Sequence, residues 1–278
     1  MAQRILLICL SIASLQLTGC SRLFFYPQQT LLRDPADIGV KYENVHFSST
    51  DCVKLHGWFM PAKRRPKGTV VFFHGNAENI SSHVGAVYWL PEQDFNVFIF
   101  DYRGFGLSQG KADVKGVHRD AQAALQYVVS RNDVDPNKLV LFGQSVGGAI
   151  ALYTAVTTDV SIRAVIAESA FSSYPVIMRE KMSEVLLTWP LQWMAIGMTS
   201  KYDPISVIDE IAPTPVLLIH GDQDKIIPVE HAHKLYAKAQ GDKQLWIIED
   251  AGHIGAFAPN RMDYRQRFTQ YLEEVVKD

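Results

Sequence analysis

Short apolar runs alternate with stretches of helical character along most of this chain, and that rhythm sets the fold class. The runs are Thr69–Phe73, Val97–Phe100, Lys138–Phe142, Ala164–Ala167, Val216–Ile219 and Gln244–Ile248. They are rich in Val, Ile, Leu and Phe without apolar–polar alternation, the pattern of strands buried on both faces. Between them lie helical candidates at Ser82–Leu90, Val114–Val129, Gly147–Thr157, Val229–Ala239 and Arg261–Val276. This alternation predicts an α/β fold, a mostly parallel sheet with helices on both faces. Ahead of it, Tyr42–Phe47 and Leu55–Met60 flank a turn at Thr50-Asp51 and predict an antiparallel hairpin at one sheet edge. With 278 residues, 47% of them hydrophobic and 20% charged, the chain can bury one full core. A net charge of −2 offers no polyanion-binding surface, so nucleic acid is not an expected partner.

Four short segments, each following an apolar run, carry the residues of chemical interest. Gly143-Gln144-Ser145-Val146-Gly147 lies between the run Lys138–Phe142 and a helical stretch. A Gly-x-Ser-x-Gly motif is weak alone, but strand–turn–helix is the setting a nucleophile elbow requires. The amide of Val146 would then stand at a helix N-terminus, facing developing negative charge. His220-Gly221-Asp222-Gln223-Asp224 follows Val216–Ile219 and offers two competing carboxylates, Asp222 and Asp224. Gly252-His253 follows the last run and precedes the final helix. The order Ser, Asp, His is that of α/β-hydrolases and of no other common triad. His74-Gly75-Asn76-Ala77 follows Thr69–Phe73, and the Asn76 amide is the expected partner of Val146 as oxyanion donor, with His74 structural.

Other features carry less. Gly104-Phe105-Gly106 does not open a helix directly, so a dinucleotide loop is not expected. His231 and His233 lie two apart on a helical stretch, hence on different faces, which argues against a metal site. The interval from Ala167 to Val216 lacks a clear strand and holds Met178, Met182, Leu186, Leu187, Trp189, Trp193 and Met198. It reads either as extra core helices or as a helical lid over the site, spanning about 170–204.

The N-terminus has a different character. Arg4 precedes an apolar run, Ile5–Leu17, and then Leu17-Thr18-Gly19-Cys20. This is the layout of a secretory signal, too short and poorly flanked for a transmembrane helix. The ending resembles the bacterial lipobox, which implies a signal peptide over 1–19, lipidation of Cys20 and a membrane anchor in the cell envelope. Ser21 in place of Asp implies the outer membrane where the cell has one. Residues 20–40 are expected to form a tether packing near a hydrolase domain at 41–278. Once Cys9 leaves with the signal and Cys20 is acylated, Cys52 alone cannot form an internal disulfide.

From about Phe25 to the end, the chain resembles α/β-hydrolases of the BEM46 / serine aminopeptidase S33-like group. The likeness rests on Tyr26-Pro27, Leu55–Phe59, His74–Asn79, Asp101–Ser108, Gly143–Gly148, Pro215–Gly221 through Pro228, and Ala251-Gly252-His253. It implies the α/β-hydrolase fold, catalysis by Ser145, Asp224 and His253, and no cofactor or metal. It also prefers Asp224 to Asp222 as the acid. Two departures stand out: Glu78 where the group often has Gly, and Cys52 where a Gly commonly follows the Asp. The expected activity is hydrolysis of a small-molecule acyl ester or thioester through an acyl-enzyme. An amidase or peptidase, and a catalytically silent membrane-tethered binding protein, are the alternatives.

Overall fold

The structure is a computed structural model and describes residues 24–184, 198–258 and 260–277. The expected signal peptide, Cys20, Leu186, Leu187, Trp189 and Trp193 lie outside these residues.

Eight strands form one twisted sheet: β2 (Glu43–Ser48), β3 (Lys54–Met60), β4 (Gly68–Phe73), β6 (Phe95–Asp101), β7 (Leu139–Gln144), β8 (Ala164–Glu168), β9 (Val216–Gly221) and β10 (Lys243–Ile248). Their order is β10-β9-β8-β7-β4-β6-β3-β2. From β10 to β6 all neighbours are parallel, while β3 pairs antiparallel with β6 and with β2. The hairpin therefore sits at the edge expected from its alternation. Two further strands of two residues each, β1 (Tyr26–Pro27) and β5 (Ala77–Glu78), pair in parallel away from the main sheet.

Residue-by-residue alternation explains why the strands read as unbroken apolar runs. Val71, Phe73, Phe98, Phe100, Leu139, Leu141, Val165 and Leu218 point into one core cluster. Their neighbours Val70, Phe72, Val97, Ile99, Val140, Phe142, Ile166 and Leu217 point into the other. Both faces are dry, so both sets must be apolar. Each buried Phe contributes roughly 1.5–3 kcal/mol relative to exposure. Helices α2 (Val114–Val129), α3 (Val146–Thr157) and α5 (Glu230–Lys238) add side chains to the first cluster, and α6 (Met262–Val275) to the second.

The stretch expected as one helix over Ser82–Leu90 is instead a short α1 (Ile80–His83), then 3-10 turns at Val84–Ala86 and Leu90–Gln93. Ile80, Val84, Val87 and Leu90 keep helical spacing and are buried. Gly85 weakens the middle, and Pro91 disfavours helical geometry in the residue before it. Asn79 caps α1 through Ser81 N at 3.0 Å, while its amide donates to the carbonyls of Gln28 and Thr30. The segment after Phe24 is thereby stitched onto the domain, and Phe24 and Phe25 join the core. Within the interval between β8 and β9, the helix α4 (Tyr174–Glu184) buries Tyr174 and Ile177. Cys52 and Glu78 both adopt left-handed φ, at 65° and 62°. This accounts for the glycine that the resembling group carries at each position.

Candidate active site

Ser145 occupies the junction between β7 and α3 with φ 57° and ψ −123°. That strained backbone lifts the residue clear of the strand end. The glycines make it possible: a Cβ on Gly147 would collide with the Phe73 carbonyl, and one on Gly143 with the Gly147 carbonyl. The Ser145 amide is held by the Glu168 carbonyl at 2.8 Å, and its own carbonyl receives Gly148 N at 3.0 Å to start α3. The site thus lies at the carboxyl ends of β4 and β7, where the chain switches from one side of β4 to the other.

Asn76, Ser145 and Val146 meet in one cavity of about 250 Å³, with Phe24, Phe171, Ile177, Met178 and Ile227 among its walls. Asn76 is fixed because its carbonyl accepts Tyr26 N at 2.8 Å. Neither the Asn76 nor the Val146 amide has an acceptor among the described residues. His74 is wholly buried, stacks on His83 and contacts Tyr102, and burial pushes its imidazole well below the usual range.

Of the two competing carboxylates, Asp224 is the one on His253: Oδ2 accepts Nδ1 at 2.8 Å. Asp222 is exposed. Asp224 Oδ1 accepts the amides of Ile226 and Ile227, each at 2.9 Å, and His220 Nε2 lies 3.4 Å from Oδ2. Burial alone would push the Asp224 carboxyl up. The hydrogen bonds from His220 and His253 win, and hold it far below the usual carboxylate range. With Nδ1–H engaged, the Nε2 of a neutral His253 is left as an acceptor.

The loops meet through backbone contacts. Gln223 N donates to the Ala251 carbonyl at 2.9 Å, and a Cβ on Gly221 would strike that carbonyl. The His253 loop is pinned to the end of β8, where Ile254 N donates to Ser169 Oγ at 3.2 Å and Ala256 N to Glu168 Oε1 at 3.0 Å. Glu168 Oε2 accepts Gln144 Nε2 at 2.7 Å. Glu168 therefore links the strand end before Ser145 to the loop carrying His253, although no hydrogen bond joins Ser145 to His253 directly among the described residues. Burial pushes the Glu168 carboxyl up. Sequence reasoning passed over it. The available signal was a lone acidic residue closing the run Ala164–Ala167. Phe24 was passed over too, being assigned to the tether.

The family model "Serine aminopeptidase, S33" matches residues 64–212, and the α/β hydrolase fold model matches 186–258. An uncharacterised Escherichia coli K12 protein, YfhR, is 40% identical over 90% of this chain and 86% of its own. The Arabidopsis thaliana α/β hydrolase domain-containing protein WAV2 is 36% identical over 88% and 82%. Protein bem46 of Schizosaccharomyces pombe is 29% identical over 70% and 64%. Among solved structures, Pyrococcus furiosus esterase Pf2001 superposes with TM-score 0.75 at 21% identity, covering 91% of this chain and all (100%) of that one.

Proposed function

The chain belongs to the α/β-hydrolases, in the BEM46-like, serine aminopeptidase S33 group, and from that premise we propose that it is a serine esterase working through an acyl-enzyme. The observation that carries this reading is the cavity lined by Ser145 together with Asn76 and Val146. The Asp224–His253 pair on the adjoining loops supplies the base.

In the proposed reaction, Ser145 Oγ attacks the substrate carbonyl while His253 Nε2 takes its proton. Small motions that bring Oγ within reach of Nε2 are ordinary on going from a free to a substrate-bound site. Asp224 holds the Nδ1–H tautomer and stabilises the imidazolium. The Asn76 and Val146 amides receive the oxyanion, each contributing about 3 kcal/mol to the transition state. The imidazolium returns its proton to the departing alcohol as the ester C–O bond breaks. Water then attacks the acyl-enzyme with His253 again as base, releasing the acid and regenerating Ser145. Apolar walls around Ser145 favour an acyl group as the part held there. Esters are favoured over amides because the ester oxygen donates less electron density to its carbonyl than an amide nitrogen does, so the ester carbonyl is attacked more readily.

A fluorophosphonate probe tests the reading directly. It should label the wild type and not Ser145→Ala; no labelling of the wild type, or equal labelling of both, rejects catalysis and leaves a binding protein. A panel of ester, thioester and amide substrates then ranks the leaving groups.

We also propose that Cys20 carries a lipid anchor, as its lipobox-like setting suggests. Among the described residues no helix is long and apolar enough to cross a membrane. Cys20→Ser should move the protein from the membrane fraction to the soluble one; unchanged fractionation sinks the proposal.

A further inference from the structure

Residues expected to form a tether packing near the domain contribute to the cavity beside Ser145. Phe24 and Tyr26 line the space around Ser145, together with residues of α4 and the loop after Asp224. Phe24 is only 9% exposed and packs edge-on against Tyr174 at 5.3 Å. Tyr26 and Ile226 line the same cavity yet are 62% and 53% exposed, so the rim around the opening presents large apolar groups to the outside. The segment is also fixed in place. Tyr26–Pro27 pairs with Ala77–Glu78, and Gln28 accepts Gly106 N at 2.9 Å.

Cys20 lies four residues before Phe24. Fully extended, that span reaches at most about 14 Å. An acyl chain on Cys20 seated in a bilayer would hold Phe24, and with it the opening beside Ser145, within that distance of the membrane surface. Exposed apolar groups around a site are expected where it meets another apolar phase.

We propose that the substrate is an acyl ester resident in the bilayer that carries the anchor, entering past Tyr26 and Ile226 with its acyl chain against Phe24, Phe171 and Met178. The inference rests on the esterase and Cys20 readings above. The reaction consumes one water: the bond from acyl carbon to alkoxy oxygen breaks, the carboxylic acid stays in or near the membrane, and the alcohol takes the proton.

The test uses the full lipidated chain on phosphatidylcholine vesicles with two substrates, a soluble short-chain nitrophenyl ester and a long-chain fluorogenic ester held in the same bilayer. Three proteins are compared: the wild type, Cys20→Ser, and a variant with a Gly/Ser insertion of about 20 residues after Ser21. The insertion adds roughly 25 Å of slack without touching the described fold. The soluble ester should be cleaved equally by all three. Cleavage of the bilayer ester should fall at least fivefold with the insertion and at least tenfold with Cys20→Ser. Equal rates on the bilayer ester for the wild type and the insertion variant, with both bound to vesicles, overturn the proposal: the anchor would then only concentrate the enzyme. Absence of cleavage of the soluble ester by every form ends the esterase reading, and this one with it. Flotation of Cys20→Ser with the vesicles, as for the wild type, ends the anchor reading in the same way.

Discussion

Asp222 and Asp224 sit two residues apart on one loop, and the fold gives them opposite surroundings. Asp224 is buried and receives two amides and an imidazole, while Asp222 faces solvent. Spacing alone could not separate them, because the choice depends on which side chain the turn after β9 folds inward. Asp224→Asn should lower kcat by about 10³–10⁴, since the amide favours the wrong tautomer of His253. Asp222→Asn should stay within about twofold, a difference steady-state assays on one ester would read. Buried histidines withdraw stability in acid, and His118 is one of them. Burial pushes the His118 imidazole down to about 3, from 6.5. Its folded value is depressed, so the folded protein resists a proton that the unfolded chain accepts. Stability is therefore withdrawn as pH falls below 6.5, by at most about 1.4 kcal/mol per pH unit until the folded value is reached. His118→Phe keeps the ring stack on Tyr202 and removes this proton uptake. Urea melts between pH 6.5 and 4 should show a shallower loss for the variant than for the wild type.

At the scale of elements, the strand–helix junction at Ser145 is the least replaceable piece of backbone. Gly147→Ala would drive a methyl group into the backbone of β4, and the surrounding sheet cannot yield without parting strands. The expected result is a Tm lower by on the order of 10 °C, with loss of fluorophosphonate labelling. Gly85→Ala, whose added carbon meets open space, should leave Tm unchanged or slightly raised. The long elements were legible because their periodicity is long: the six apolar runs each became a strand of the main sheet, and α2 runs over the expected residues. What was not legible is short or depends on partners. The apolar spacing from Ile80 to Leu90 looks helical, yet Gly85 and Pro91 divide it. Strands β1 and β5 are two residues each, too brief for any pattern, and exist only because Tyr26 and Asn76 lie side by side in the folded chain.

Across the whole molecule, one charged cluster ties the edge hairpin to the centre. Arg103, on the loop after β6, binds Asp120 of α2 through Nη2 at 2.8 Å and Asp51 of the hairpin turn at 2.8 Å. Asp120 has no solvent exposure. Gly116 leaves the room the guanidinium needs, since a Cβ there would meet its Nε. Removing the cation would strand a buried carboxylate, at a cost of about 3–5 kcal/mol. Arg103→Ala should accordingly lower Tm by on the order of 10 °C in a thermal melt, and pairing Arg103→Met with Asp120→Leu should restore most of it. At this scale the sequence located the three loops of the site by their places after strands, but not how they are joined. Glu168 ties the end of β7 to the loop of His253 from inside the sheet, and nothing in a linear reading shows that its two oxygens reach toward those two separate segments.

The pairing of β1 with β5 also has a mechanical side. Any load drawn through the chain ahead of Phe24 passes the buried Phe24 and Phe25 and then reaches the hydrogen bonds from Tyr26 N to the Asn76 carbonyl and from Gln28 N to the Glu78 carbonyl, at 2.8 and 3.0 Å. The eight-stranded sheet lies behind them in the line of force. A pull on the chain ahead of Phe24 would thus be felt at the Asn76 carbonyl before the eight-stranded sheet gave way.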